Sequence, residues 1–242
     1  MTTNRTIRIF LWVGIAALCL APWALAQSVT LTSAGNNVAD GVYVSPYYAT
    51  VNGVPNTPIV CDDFADESYL NASWSASSTS FSSLSASNIP TAWGAELGAS
   101  AATLKLYEEA AWLTLGVLRQ AAGSPGQINY SFAVWAVFDP SGVASWLLAY
   151  GDTTTYNAVF GPGGLLAGLP TSFSLSEFSN VLILTPEVAG GTCTAGSCPE
   201  QEFIEVVPEG GAALGYLFLA GLCCSGAILM RSRRPLSNIG AA

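Results

Sequence analysis

The chain has 242 residues, of which 51% are hydrophobic, 7 basic, 16 acidic and none histidine, for a net charge of −9 at pH 7. A chain this acidic repels phosphate backbones, which excludes nucleic acid as a partner. Without histidine there is no Ser-His-Asp or Cys-His arrangement, and zinc loses its commonest nitrogen ligand.

At the N-terminus Arg5 and Arg8 precede an apolar run over 9–20, and Ala24-Leu25-Ala26 supplies the small residues that a signal peptidase reads. Residues 1–26 are therefore expected to be a signal peptide, with the mature chain opening at Gln27. No cysteine follows the cut, so a lipid-anchored N-terminus is not expected. Five of the seven basic residues lie at the two ends. This leaves Lys105 and Arg119 against all sixteen acids over 27–211, a net of −14. Such a surface attracts divalent cations or basic partners, or simply keeps an exported domain soluble.

Over 28–63, short apolar and β-branched stretches alternate with turn residues. They predict strands at 29–31, 42–44, 48–51 and 58–61, with Asn52-Gly53 as a hairpin turn. Over 71–87 serine and threonine dominate, interrupted by Trp74, Phe81 and Leu84; edge strands and a covering loop fit equally well. Recurrence of Leu104, Tyr107, Ala111, Leu115 and Leu118 at three- and four-residue steps predicts a helix over 101–122, stopped by Gly123. A second helix over 129–138 is apolar on nearly every side, hence buried, and ends at Asp139-Pro140. A short helix near 142–149, a glycine-rich loop over 161–168 and closing strands at 181–184 and 203–207 complete the pattern. Strands at both ends with helices between predict one α+β domain over 27–206: a strand-rich N-terminal part, central buried helices and closing strands. Trp112 and Trp135 are expected to face inward, and Trp74 is the tryptophan to test for exposure.

Of the six cysteines, Cys61, Cys193 and Cys198 fall in this domain. Cys193 and Cys198 flank Thr194-Ala195-Gly196-Ser197, a loop able to close a small disulfide in an oxidising compartment; pairing of Cys61 with either one is the open alternative. Asp62, Asp63, Asp66 and Glu67 are candidate calcium ligands, being hard carboxylate oxygens close in sequence. They lack a glycine-spaced calcium loop and also read as a solvated acidic turn. No other cofactor and no catalytic residue is expected. A carboxylate-pair glycosidase would have to draw on Asp62, Asp139, Glu108 or Glu109, none of which the sequence marks.

At the far end Val207-Pro208-Glu209-Gly210-Gly211 precedes an uncharged run over 212–230, followed by Arg231, Arg233 and Arg234. The run is just long enough to cross a bilayer core, and the arginines hold its end on the cytoplasmic side. This order resembles the PEP-CTERM sorting signal of Gram-negative bacteria, here with Val-Pro-Glu-Gly where the common form carries a second proline. The resemblance implies a sorting signal over 207–234, a transmembrane helix over 212–230 and a short cytoplasmic tail over 235–242. It also implies an exosortase that removes the hydrophobic tail and leaves the protein at the cell surface or in extracellular polymer. A plain single-pass anchor is the alternative.

The domain carries resemblances of its own. Gly41-Val42-Tyr43-Val44-Ser45-Pro46-Tyr47, Cys61-Asp62-Asp63-Phe64, Tyr107-Glu108-Glu109-Ala110-Ala111-Trp112-Leu113, Ala133-Val134-Trp135-Ala136-Val137-Phe138-Asp139-Pro140 and Gln201-Glu202-Phe203-Ile204 look like landmarks of a group of PEP-CTERM surface proteins. Cys61 after a strand, followed by a helix with an Ala-Val-Trp core, is distantly similar to the thioester domains of bacterial adhesins. In those domains a cysteine and a glutamine form an internal thioester. Ser131 stands at the glutamine's position and supplies no acyl group, and Gln127 lies one turn away. The resulting expectation is a non-enzymatic exported protein. It is sorted by signal peptidase and exosortase, anchored in the inner membrane before processing, and structural or adhesive within an exopolysaccharide envelope. A secreted polysaccharide hydrolase using Asp62 or Asp139, and a permanently anchored membrane protein, are the alternatives.

Overall fold

Strands form where β-branched and aromatic side chains alternate with polar ones, because successive side chains point to opposite faces. The structure, a computed structural model, describes residues 26–35, 37–188 and 191–208. The expected signal peptide up to position 25, Ala24 included, lies outside these residues. So do Glu209, Gly210, the 212–230 segment, Arg231, Arg233, Arg234 and the 235–242 tail. Residues up to Glu205 form one unit.

Its strands are β1 (Gln27–Ser33), β2 (Val38–Ala39), β3 (Val42–Tyr43), β4 (Tyr47–Val51), β5 (Val54–Cys61), β6 (Ser73–Ser80), β7 (Val181–Val188), β8 (Gly191–Thr192) and β9 (Phe203–Val206). In β4, Tyr47, Ala49 and Val51 are buried while Tyr48 and Thr50 are only half-buried, the alternation of a strand with one face on the core. β4 turns into β5 at Asn52-Gly53, whose φ angles of 50° and 79° are those that a two-residue type I′ hairpin requires. Six strands follow one another in the order β6-β1-β4-β5-β9-β7, and β6 pairs again with β7, so the sheet closes into a barrel. β8 extends β7, and β2 with β3 forms a separate small hairpin.

Within the 71–87 stretch, Ser73–Ser80 forms a full barrel strand and Phe81–Ser83 a 3-10 turn. β6 bonds to β1 through Ser73–Ala76 and to β7 through Ala76–Ser80. Its two buried positions are the small residues Ala76 and Thr79. Some of its cross-strand pairing is polar, as in the 2.8 Å bond between the hydroxyls of Thr30 and Ser73. Trp74 is half-buried and stacks on Phe203 at 5.8 Å.

Between β6 and β7 the chain forms α1 (Ala92–Leu97), α2 (Ala101–Arg119), α3 (Pro125–Phe138), α4 (Pro140–Tyr150) and α5 (Thr153–Phe160). α2 stops three residues short of the sequence expectation because Gln120 turns to extended backbone. α3 begins one turn earlier than expected. Ser124 caps it by accepting the Gln127 N–H, and Pro125 occupies the first helical position, where no donor is needed. Asp139 caps α4 in the same way, and Gly151 closes it in the left-handed region at φ 74°. α1 and α5 were not anticipated, since neither is long enough to display a period; Thr91 and Asp152 cap them.

α3 is buried from Ser131 through Phe138 and packs on α2, α4, α5 and β5. At its end Phe138 stacks on Trp93 and meets the edge of Tyr107, both at 5.0 Å. Trp135 faces inward at 2% exposure. Trp112 departs from the expectation: it is half-buried, 6.4 Å from Tyr130, because α5 and the glycine-rich loop leave a surface hollow there. Among the described residues no helix is long and apolar enough to cross a membrane.

Gly94 in α1 has no room for a side chain, since a Cβ there would meet the Ile89 carbonyl oxygen at 2.0 Å. Backbone cannot swing aside as a side-chain tip can, so Gly94→Ala is expected to lower unfolding free energy by about 1–3 kcal/mol in urea denaturation. An unchanged midpoint would show that α1 is not seated under Ile89.

Candidate functional site

At one end of the barrel β5 and β9 run antiparallel, and their ladder extends one step beyond Cys61, where the Asp62 N–H meets the Glu202 carbonyl at 3.4 Å. That step buries both acids completely. A carboxylate taken out of water has to be given donors. Glu202 receives the Tyr107 hydroxyl at 2.5 Å, the Ala92 N–H at 2.7 Å and the Thr185 hydroxyl at 2.5 Å. These come from α2, the first residue of α1 and β7. No donor from another residue reaches either oxygen of Asp62. Burial first, then the neighbouring Glu202 and Asp63 charges, pushes the Asp62 carboxyl well above the usual range. The shift favours the protonated form, which spares two adjacent buried carboxyls from both carrying charge. Burial also raises Glu202, against the opposing pull of those donors.

Asp63 is buried as well, and its Oδ1 accepts the Ala65 and Asp66 N–H groups at 2.9 and 3.2 Å. Burial, and then its hydrogen bond with Asp66, pushes Asp63 up to about 7. Asp66 Oδ2 accepts from the Gly196 and Cys198 N–H groups, inside the loop closed by the Cys193–Cys198 disulfide. Gln201 ties the two segments again, its N–H to Ser68 Oγ and its amide NH2 to the Asp63 carbonyl. Glu67 is exposed and accepts the Tyr69 hydroxyl at 2.7 Å. The four acids expected as calcium ligands are thus divided: Asp62 turns to Glu202, Asp63 and Asp66 share a turn, and Glu67 stands at the surface. Among the described residues no group of three or more cysteine or acidic side chains is placed to hold a metal.

Cys61 is free and buried. Its N–H donates to Ser45 Oγ and its thiol to the Asp63 carbonyl, while Ser131 Oγ donates to the Ser45 and Gln127 carbonyls. Burial, then the Asp63 and Asp62 charges, pushes the thiol well up, so it stays protonated and a poor nucleophile. Gln127 is occupied elsewhere: its Oε1 accepts from Gly123 N–H and Asn37 Nδ2, and its Nε2 donates to Val117. Asp139 serves as the α4 cap, and Glu109 lies 3.5 Å from Lys105. Gln27 opens β1, and Val207 and Pro208 follow β9.

Asp66 and Glu67 also line a cleft of about 360 Å³ whose walls are largely aromatic. Phe64 lies 5.1 Å from Trp135 and meets Trp146 edge-on at 5.7 Å. Trp146 is fixed by donating its indole N–H to the Asp40 carbonyl and by stacking on Tyr150. Tyr47 is held by its bond to the Tyr43 carbonyl. Of the three most solvent-facing aromatic side chains among the described residues, Tyr43 and Tyr69, 48 and 67% exposed, line this opening, and Tyr150, 54% exposed, stacks on Trp146. A second hollow of about 420 Å³, lined by Trp112, Tyr130, Asn129 and the glycine-rich loop, contains no charged residue.

Glu202, Tyr107 and Thr185 were not singled out for a site by sequence reasoning. The signal available was the set of landmark segments, since Cys61-Asp62-Asp63-Phe64, Tyr107, Trp135 and Gln201-Glu202 meet here although they are far apart in the chain. Comparison of the chain with family models, curated proteins and solved structures returns no match.

Asp63 binds its proton more tightly when folded than when unfolded, so the stability it contributes is complete below 3.8 and is lost as pH rises through about 7. Asp63→Asn keeps the Oδ1 acceptor and is expected to flatten the fall in urea midpoint between pH 4 and 7; an unaltered slope would refute the assignment. Glu202→Gln leaves donors without their anion and is expected to cost about 3 kcal/mol by the same measurement.

Proposed function

We propose that this chain is a non-enzymatic exported protein, delivered through its C-terminal signal by an exosortase, whose barrel domain holds a glycan of the surrounding exopolysaccharide in the aromatic cleft. The observation that carries the reading is the exposure of Tyr43 and Tyr69 at one opening that Phe64 and Trp146 also line, with Tyr150 stacked on Trp146. Aromatic faces left in water gain from contact with the C–H faces of sugar rings, and fixed indole and phenol groups lose little entropy on binding. The terminal segments support the delivery: a signal peptide before Gln27 and the Pro-Glu motif, apolar run and arginine cluster from Val207 to Arg234. In this reading the chain is anchored in the inner membrane before processing and resides afterwards at the cell surface or in the extracellular polymer. The hydrolase alternative needs Asp62 or Asp139 to reach a glycan. Asp62 is fully buried and Asp139 is engaged in a helix cap.

Two measurements test the proposal. Protein recovered from its native envelope is expected to have an intact mass matching a chain from Gln27 to near Pro208. A mass extending to Ala242 would replace sorting with permanent anchoring. Envelope polysaccharide immobilised on a surface is expected to retain the protein and to lose about tenfold in affinity when Tyr69 is changed to Ala, the cost of one stacking contact of about 1–1.5 kcal/mol. Equal retention of both proteins would remove the cleft from the reading.

A further inference from the structure

We infer that the cleft selects an organic ammonium, which, if the glycan reading holds, is the unacetylated amine of an amino sugar. Three features of the opening point the same way. Its charged lining consists of Asp66 and Glu67, with no lysine or arginine. The only two basic residues over 27–211, Lys105 and Arg119, both lie on α2 and not at the cleft. Both carboxylates are held in position: Asp66 by the Gly196 and Cys198 N–H groups, and Glu67 by the Tyr69 hydroxyl.

Around these anions stand the aromatic side chains of Tyr43, Tyr47, Tyr69 and Trp146. Carboxylate and π-face together are the surroundings that an ammonium prefers, since the ring quadrupole and the fixed charge attract the same ion. A small ring carrying a protonated amine brings the ammonium to the carboxylates and its C–H faces to the aromatic walls. An acetylated sugar lacks the charge. A uronic or phosphorylated sugar meets like charge at the rim.

The full-length chain in mild detergent, titrated calorimetrically at a pH of about 6 where a sugar amine is protonated, distinguishes these cases. The probes are the β-1,4 hexamer of glucosamine and the fully acetylated hexamer. The glucosamine hexamer is expected to bind about tenfold more tightly, and Glu67→Gln to remove that advantage, since a charge-assisted bond exceeds a neutral one by about 1.4 kcal/mol. Trp112→Ala, in the uncharged hollow, is expected to leave both affinities unchanged. Equal binding of the two hexamers overturns the amine and leaves the glycan reading standing. A preference for glucosamine that survives Glu67→Gln overturns the assignment to this cleft. Binding of neither hexamer overturns the inference, and the polysaccharide retention assay above then decides separately on the glycan reading.

Discussion

A single buried anion organises this domain. Glu202 sits where no water reaches it, and a carboxylate in that position is tolerable only if donors arrive from several directions. The donors come from β7, the start of α1 and α2. Each is therefore a geometric condition on a different element. α1 must present its first N–H, which sets the tight approach of Gly94 to Ile89. α2 must present Tyr107, whose ring is in turn pinned against Phe138 at the end of α3. Apolar burial supplies most of the driving force for such a core, while the polar cluster determines which of the many compact arrangements satisfies every group. The β-barrel and the helical insertion are locked together through this one side chain.

How much of this could be read from the chain depends on whether the signal was local. The hairpin at Asn52-Gly53 was legible because two positive φ angles need those residues wherever they occur. α2 and the buried α3 were legible from period and composition, and their ends were misplaced by a few residues where Ser124-Pro125 and Gln120 overrode the apolar pattern. β6 was ambiguous because its partners on both sides accept small polar side chains, which erases the alternation that marks a strand. At the site, the acids of 62–67 and the Cys193–Cys198 loop stood out from composition and spacing. Glu202 did not, because nothing in its own neighbourhood says that it will be buried. The cleft aromatics belong to four separate stretches of sequence, and only the fold brings them to one opening.

The acids of the 62–67 turn have acquired opposite physical characters within six residues. Asp62 and Asp63 are buried and drawn toward the protonated state, whereas Asp66 accepts from the Gly196 and Cys198 N–H groups and Glu67 stands exposed with the Tyr69 hydroxyl. The boundary between interior and surface chemistry runs through Phe64, which covers Trp135 on one side and meets Trp146 on the other. The disulfide has a place in this arrangement beyond closing a short loop, because the N–H groups it holds are those that bind Asp66.

Closure of the barrel has a consequence for life at high local concentration. Every strand of the six-membered ring has a neighbour on each side, so the N–H and C=O groups that would otherwise template a further chain are largely spent inside the molecule. At high concentration an open sheet would seed stacking into fibres. Among the described strands only the two-residue β8 and the β2–β3 hairpin keep open edges, so the ring itself offers little backbone for one copy to pair with another.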